Sequence, residues 1–465
     1  MTYKKINDGD IAYLNEAFGK ENVQTGETIE DDFMHDELQT IEGRPDVHLY
    51  VNKTEDIQKI MAYAHENGIP VTVRGSGTGL VGGSVAVFGG ILLDTSKMNQ
   101  ILELDKTNMT LSVEPGVLLM DIAEHVEKEG FFYAPDPGEK SATIGGNIAT
   151  NAGGMRAVKY GVTRDWIRGL EVVLPDGTLI QLGGKVVKNS SGYALKDLII
   201  GSEGTLGIIT KAILKLIPLP EYSVSLLVPF DDREQAIAGV SDVIRAHTLP
   251  TAVEFLEKDI LAYSEEFLGK AIPNRDYPAY LLLTYDGNTQ TEIDKTIDAV
   301  SAFLVDELKA KDVYTVDTAE RKKSVWDARG AFLEAIKATT PLMDECDVVL
   351  PRSEVSEFLD FIHAIGDELS IRIPYFGHVG DGNLHIYFCK DDLSDDVWDD
   401  RLKRGFDKIY DKAFSMGGLV SGEHGIGHAK KSYLHEQVGK RQVELMRGIK
   451  HAFDPNHILN PGKIV

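Results

Sequence analysis

Val71-Thr72-Val73-Arg74-Gly75-Ser76-Gly77-Thr78-Gly79, followed at once by Gly82-Gly83-Ser84, is the stretch that decides the fold. A β-branched run reads as a short strand, and the glycines after it read as a loop. Closely spaced glycines let successive backbone N–H groups converge on phosphate oxygens. A nucleoside-triphosphatase loop would close on Gly-Lys-Ser/Thr, and this one contains no lysine. A dinucleotide turn of the Rossmann type would open a helix, whereas the next segment here reads as apolar and strand-like. Taken alone, the loop is equally compatible with a glycine-rich turn that holds nothing.

Working outward, the same residue type recurs in clusters. The chain has 45 glycines in 465 residues, about 10 % against a usual ~7 %. They gather in Val71–Gly90, Gly138–Gly207 and Gly377–Gly427, leaving residues 221–370 glycine-poor. Such a length exceeds one hydrophobic core and predicts at least two domains. A net charge of −25 argues against nucleic acid or an anionic membrane surface as partner. The two cysteines, Cys346 and Cys389, are too few for an iron–sulfur cluster or a disulfide framework. The N-terminus lacks the apolar core of a signal peptide, and no apolar run approaches the ~20 residues of a membrane span. A cytoplasmic protein is expected.

Local patterns predict an α+β chain. Ile57, Ile60, Met61 and Ala64 have helical spacing over residues 54–67, with Thr54 as N-cap and Gly68 as stop. Residues 69–73, 91–94 and 111–114 read as strands and 119–128 as a helix. Asp176-Gly177 predicts a hairpin joining 171–174 to 178–182. Pro218-Leu219-Pro220 is the best boundary, because prolines end regular elements. Beyond it, strands are expected at 223–229, 251–256, 280–285 and 348–350, and helices at 233–246, 292–309 and 354–369.

Further small-residue motifs follow in order: Pro135-Asp136-Pro137-Gly138, Thr143-Ile144-Gly145-Gly146-Asn147, Ala149-Thr150-Asn151-Ala152-Gly153-Gly154 and Gly201-Ser202-Glu203-Gly204-Thr205-Leu206-Gly207-Ile208-Ile209-Thr210. Together with the first loop they resemble the FAD-linked oxidoreductases with a vanillyl-alcohol-oxidase (PCMH) type flavin domain. Within that family the chain is similar to the branch of D-lactate dehydrogenases and FAD-linked glycolate oxidase subunits. The resemblance implies a two-part FAD-binding domain over 40–220 after an N-terminal helical segment, 1–39. It also implies an α+β cap with an antiparallel sheet over 221–415, and a segment 416–465 returning to the flavin domain. Arg74, Gly75, Ser76, Gly77, Thr78, Gly79 and Ser84 would wrap the FAD pyrophosphate. Asp136, Pro137, Gly138, Thr143, Gly145, Gly146, Ala149, Gly153 and Gly154 would line the dinucleotide. Glu203, with the backbone of Ile208 and Ile209, would hold the adenosine side. The first loop has neither His nor Cys, so the FAD is expected to be non-covalent. Asn460, in the family's usual ending, would touch the flavin; on spacing alone it is a turn residue.

The third glycine group carries histidines. Strands at 372–378 and 384–388, joined through Asp381-Gly382, would bring His378 and His385 to about 5 Å. Paired imidazoles at that distance suit a metal or merely local hydrogen bonding. Glu423-His424, in a glycine-rich setting, adds a ligand and a base. The resemblance implies one divalent metal (Zn, Fe or Mn) on His378, His385 and Glu423, with His424 as general base. It also implies that Arg329 takes the substrate carboxylate, although by pattern alone Arg329 is a surface helix residue.

These assignments imply oxidation of a small D-2-hydroxy acid, with hydride passing to flavin N5. Ala331–Glu334 and Leu342–Asp347 are apolar and acidic, so a second substrate carboxylate would be repelled. D-Lactate is therefore expected before glycolate or D-2-hydroxyglutarate. The electrons would leave to an electron-transfer flavoprotein or an iron–sulfur subunit. A non-redox flavin-dependent synthase and a metal-dependent hydrolase are the alternatives of another class; the hydrolase leaves the first two glycine clusters unexplained.

Overall fold

The structure, a computed structural model, describes residues 3–246, 249–270, 276–316 and 318–465. It divides into two units, one of Met1–Gly153, Val162–Leu219 and Glu423–Val465, the other of Gly154–Gly161 with Pro220–Gly422. The sequence-based boundary at 416 differs from the crossing at Glu423. Leu419 still pairs with Val349, and the Gly422 amide still bonds to Asp347, so those residues stay with the second unit.

In the first unit, Val71–Arg74 and Val47–Tyr50 flank Ile91–Asp94 in parallel, and Val23–Thr25 adds an antiparallel edge. Helix Thr54–Asn67 makes the crossover. Its Ile57, Ile60, Met61 and Ala64 are fully buried against Val47, Leu49 and Ile91, and Gly68 at φ 64° ends it. Thr54 is not the cap. It is the first helical residue, and its hydroxyl donates to Glu171 at 3.1 Å while Lys53 holds the cap position. The second sheet is antiparallel, in the order 101–105, 110–113, 208–215, 167–173, 179–183. Leu459 bridges in parallel to Val71, so the C-terminal segment lies beside the strand that feeds the glycine loop. Residues 80–90 are turns and bends rather than strand, which resumes only at Ile91.

The second unit is built on a seven-stranded antiparallel sheet in the order 314–316, 222–230, 279–287, 252–257, 375–378, 383–389, 343–349. Helices Arg233–Ala246, Gln290–Asp306, Val355–Leu369 and Asp395–Ser415 pack on the sheet or on one another. Helices Lys258–Leu268, Ala319–Gly330 and Phe332–Lys337 form another group. Met343–Val349 is a full strand, longer than the expected 348–350. Its acidic alternation hid it: Glu345 and Asp347 point to one face and are buried there, opposite Tyr387 and His385. Among the described residues no helix is long and apolar enough to cross a membrane.

Candidate active site

The glycine loops of the first unit converge. A Cβ on Gly75 would overlap the hydroxyl of Thr143, so only glycine fits there. Thr143 in turn caps helix Ile144–Thr150 by accepting from the Gly146 amide at 3.3 Å. Gly145 packs against Pro115, and the Ala149 carbonyl accepts from the Glu203 amide at 2.8 Å. Asn460 fastens the clusters together. Its amide donates to the carbonyls of Gly83 at 2.9 Å and Glu203 at 2.7 Å.

Two of the expected ligand side chains have protein partners of their own. The Arg74 guanidinium is buried and donates to the carbonyls of His35 and Asp32, both at 2.8 Å. It anchors the 32–35 segment and lies against Gly77 of the loop, where an added Cβ would run into it. The Glu203 carboxylate accepts from the amides of Ile426 at 2.7 Å and Gly427 at 2.6 Å. Burial raises its carboxyl to about 7, while those amides and Lys463 pull it down. Ile208 and Ile209 pair with Val173 and Val172 on one side, and the opposite neighbour strand begins only at Ala212. Asp136 forms an ion pair with Lys140, whose ammonium also reaches the Pro137 carbonyl at 3.4 Å.

The first unit nevertheless fits a dinucleotide. Ser84 Oγ and Asn460 Oδ1 are buried polar atoms with no hydrogen-bond partner among the described residues. Nothing lies within 4 Å of where a Cβ of Gly79 or Gly138 would stand, and Ser76, Gly79, Gly138 and Gly146 are exposed. Gly77 adopts φ 77°, which turns the loop beneath Thr78. Gly153 lies against Glu423, and Gly154 begins the short piece that belongs to the second unit. Glu423 and His424 sit side by side, with the Glu423 carboxylate 3.8 Å from His424 Nε2.

In the second unit, antiparallel pairing puts Glu254, His378, His385 and Asp347 on one sheet face. His385 is opposite Phe376 and diagonal to His378, and the two imidazoles meet edge to face with centroids 5.2 Å apart. Glu254, which the sequence analysis passed over, is fully buried. One of its oxygens accepts from His378 Nδ1 at 2.6 Å and the other from Arg329 Nε at 2.6 Å. Burial pushes its carboxyl up, but Arg329 and His378 outweigh that and hold it below the ordinary value. A glutamate inside the apolar strand run Ala252-Val253-Glu254-Phe255-Leu256 was the available signal. Arg329 is not a surface residue either. It is 8 % exposed, at the end of helix Ala319–Gly330, with its guanidinium 4.8 Å from the Phe376 ring.

Asp347 was also overlooked as an anchor. Its carboxylate accepts from Asn383 Nδ2 at 2.7 Å, Ser421 Oγ at 2.7 Å and the Gly422 amide at 3.0 Å. Those bonds fix the chain one peptide before Glu423. The first unit presents a glycine cradle with two buried polar atoms that lack a partner among the described residues. The second presents two imidazoles, of which His378 shares the Glu254 carboxylate with the Arg329 guanidinium.

Residues 219–464 match the family model "FAD linked oxidases, C-terminal domain", and residues 45–183 match "FAD binding domain". The chain is 47 % identical to a D-lactate dehydrogenase of Anaerostipes hadrus, over 99 % of this chain and 98 % of the relative. It is 39 % identical to the glycolate oxidase subunit GlcD of Bacillus subtilis, over 97 % and 95 %. A solved p-cresol methylhydroxylase with substrate bound superposes with a TM-score of 0.79 at 18 % identity, covering 99 % of this chain and 98 % of that one. That last likeness is one of fold.

Proposed function

Because the chain belongs to the FAD-linked oxidases, we propose that it oxidises a small D-2-hydroxy acid, D-lactate, to the 2-keto acid pyruvate. The observation that carries this reading is the polar cluster of the second unit, where two imidazoles share one sheet face and a buried helix guanidinium reaches the Glu254 carboxylate on it. That is the equipment for a substrate bearing a carboxylate beside a hydroxyl. Identity of 47 % to a D-lactate dehydrogenase supports D-lactate as the acid. Glycolate is the second reading, on 39 % identity to a glycolate oxidase subunit.

FAD, when bound, supplies the two-electron acceptor. Ser84, Asn460 and the glycines of the first unit would hold it, without a covalent bond, since the first loop offers no His or Cys. A divalent metal, Zn, Fe or Mn, would polarise the substrate hydroxyl and lower its pKa. Two imidazoles and a carboxylate, from His378, His385 and Glu423, are a donor set that suits such ions. Arg329 binds the substrate carboxylate through its terminal Nη groups, which make no hydrogen bond to another described residue, while Nε is occupied by Glu254. His424 takes the hydroxyl proton as general base.

The electrons then leave to a partner, an electron-transfer flavoprotein or an iron–sulfur subunit. Cys346 and Cys389 are too few thiols for a cluster of the chain's own. Both are buried and unbridged, which suits a reducing cytoplasm. Anaerobic addition of D-lactate to the yellow holoprotein tests the whole reading. The visible flavin absorbance is expected to bleach with D-lactate and not with L-lactate. Bleaching by neither lactate nor glycolate would refute it.

A further inference from the structure

We infer that Glu254 is a positioning residue that sets two functional groups at once: the tautomer of His378 and the orientation of Arg329. This deepens the reading above and rests on it. A carboxylate on a sheet face with no exposure is expensive to bury, and an apolar residue would pack there more cheaply. Its two oxygens are not shared around a general network. Each makes one short bond to a different side chain of the proposed chemistry, His378 on one side and Arg329 on the other.

Each bond has a definite chemical consequence. A carboxylate only accepts, so His378 Nδ1 must carry the proton and donate it. The lone pair is then on Nε2, which makes His378 a ligand through that atom alone and fixes its ring plane. On the other side, donation from Arg329 Nε leaves the Nη groups for a substrate carboxylate. The guanidinium is further steadied by the Phe376 ring at 4.8 Å and the Phe332 ring at 5.5 Å. Phe376 and His378 lie two residues apart on one strand, so the same element flanks the arginine and offers the imidazole. One carboxylate thereby keeps the carboxylate-binding and hydroxyl-binding ends of the site in register.

Glu254→Gln separates positioning from mere filling of space. The new amide must turn its NH2 away from the Arg329 N–H and toward His378. Nδ1 then has to accept, the proton moves to Nε2, and the ligand lone pair is lost. FAD-loaded, metal-stripped protein would be titrated with Mn2+ by calorimetry, and the KM for D-lactate measured separately. The expected result is Mn2+ affinity weakened about 10- to 100-fold, a KM raised in the same direction, and an unchanged flavin spectrum. Wild-type Mn2+ affinity and KM in the variant, with only a lowered melting temperature, would overturn the inference and leave Glu254 a structural residue. If Glu254→Gln does not fold, Glu254→Asp keeps the charge but shortens its reach. The same two losses support the role there, and wild-type values overturn it. Wild-type protein that neither binds Mn2+ nor is reduced by D-lactate would instead overturn the underlying reading, and the role of Glu254 with it.

Discussion

The Glu203 carboxylate and the Gly427 amide are hydrogen bonded at 2.6 Å, which ties the second glycine cluster to the returning C-terminal segment. This carboxyl is raised to about 7 by burial, partly offset by the Ile426 and Gly427 amides and by Lys463, itself lowered to about 8. The folded state therefore holds the proton more tightly than the unfolded chain, whose ordinary value is 4.5. Stability from this group is complete below about pH 4.5 and is lost as pH rises through about 7, a swing on the order of 3 kcal/mol. Glu203→Gln removes the titration, although its amide can accept from only one of the two backbone N–H groups. It is expected to melt below wild type near pH 5, and to lose less of its melting temperature than wild type between pH 5 and pH 7.5. Parallel melting curves at the two pH values would refute the linkage.

Gly75 and Gly79 make opposite demands on the same loop. A methyl at Gly75 would run into Thr143, whereas at Gly79 nothing stands within 4 Å. Gly75→Ala is expected to lower the stability of the FAD-free protein by about 1–3 kcal/mol, as overpacked sites do. Gly79→Ala is expected to leave that stability unchanged and to weaken FAD binding, because its methyl enters the space assigned to the cofactor. Urea denaturation of FAD-free protein, alongside titration of FAD by fluorescence quenching, distinguishes the two.

What the sequence disclosed, and what it hid, follows from how far each residue's partner lies along the chain. Helix 54–67, the 378–385 hairpin and the glycine loop are local matters of period, turn chemistry and spacing. They could be read directly. The destinations of long polar side chains could not. Arg74 ends the strand that feeds a loop resembling a phosphate cradle, yet its donors go to His35 and Asp32 about 40 residues upstream. Glu203 reaches Gly427 across 224 residues, and Glu254 joins His378 across 124. Sheet register creates such pairs, and a single strand pattern does not record which strand will lie opposite. The Asp and Glu of 344–347 illustrate the same limit: read only as charges that repel a second carboxylate, they form a strand whose Asp347 anchors Asn383 and Gly422.

Lys450 uses all three of its ammonium hydrogens inside the first unit. It donates to the carbonyls of Thr205 and Leu459, both at 2.7 Å, and to Asp454 at 2.5 Å. Lys450→Met would fill the volume but leave the Asp454 carboxylate buried without its cation. The expected loss is about 3–5 kcal/mol of stability, read as a lower urea midpoint. Lys450→Met/Asp454→Asn, which removes both charges and keeps an acceptor for the Leu459 amide, is expected to recover part of it. Equal stability of wild type and the single variant would count against a structural role for this pair.

Arg329→Lys tests the substrate end of the site most directly. Lysine can still place one N–H on Glu254, so the buried carboxylate keeps a cationic neighbour. What it cannot do is hold Glu254 and present a two-pronged donor to substrate at the same time. Losing a charge-assisted bond of about 1.5–3 kcal/mol corresponds to roughly 10- to 100-fold in binding. The KM for D-lactate is accordingly expected to rise by about that factor, with a smaller change in kcat and an unaltered flavin spectrum. A hydroxy-alcohol lacking the carboxylate, such as propane-1,2-diol, should be oxidised poorly by wild type and no worse by the variant. Should the variant keep the wild-type KM for D-lactate, Arg329 is only the counter-charge of Glu254, and the carboxylate is bound elsewhere.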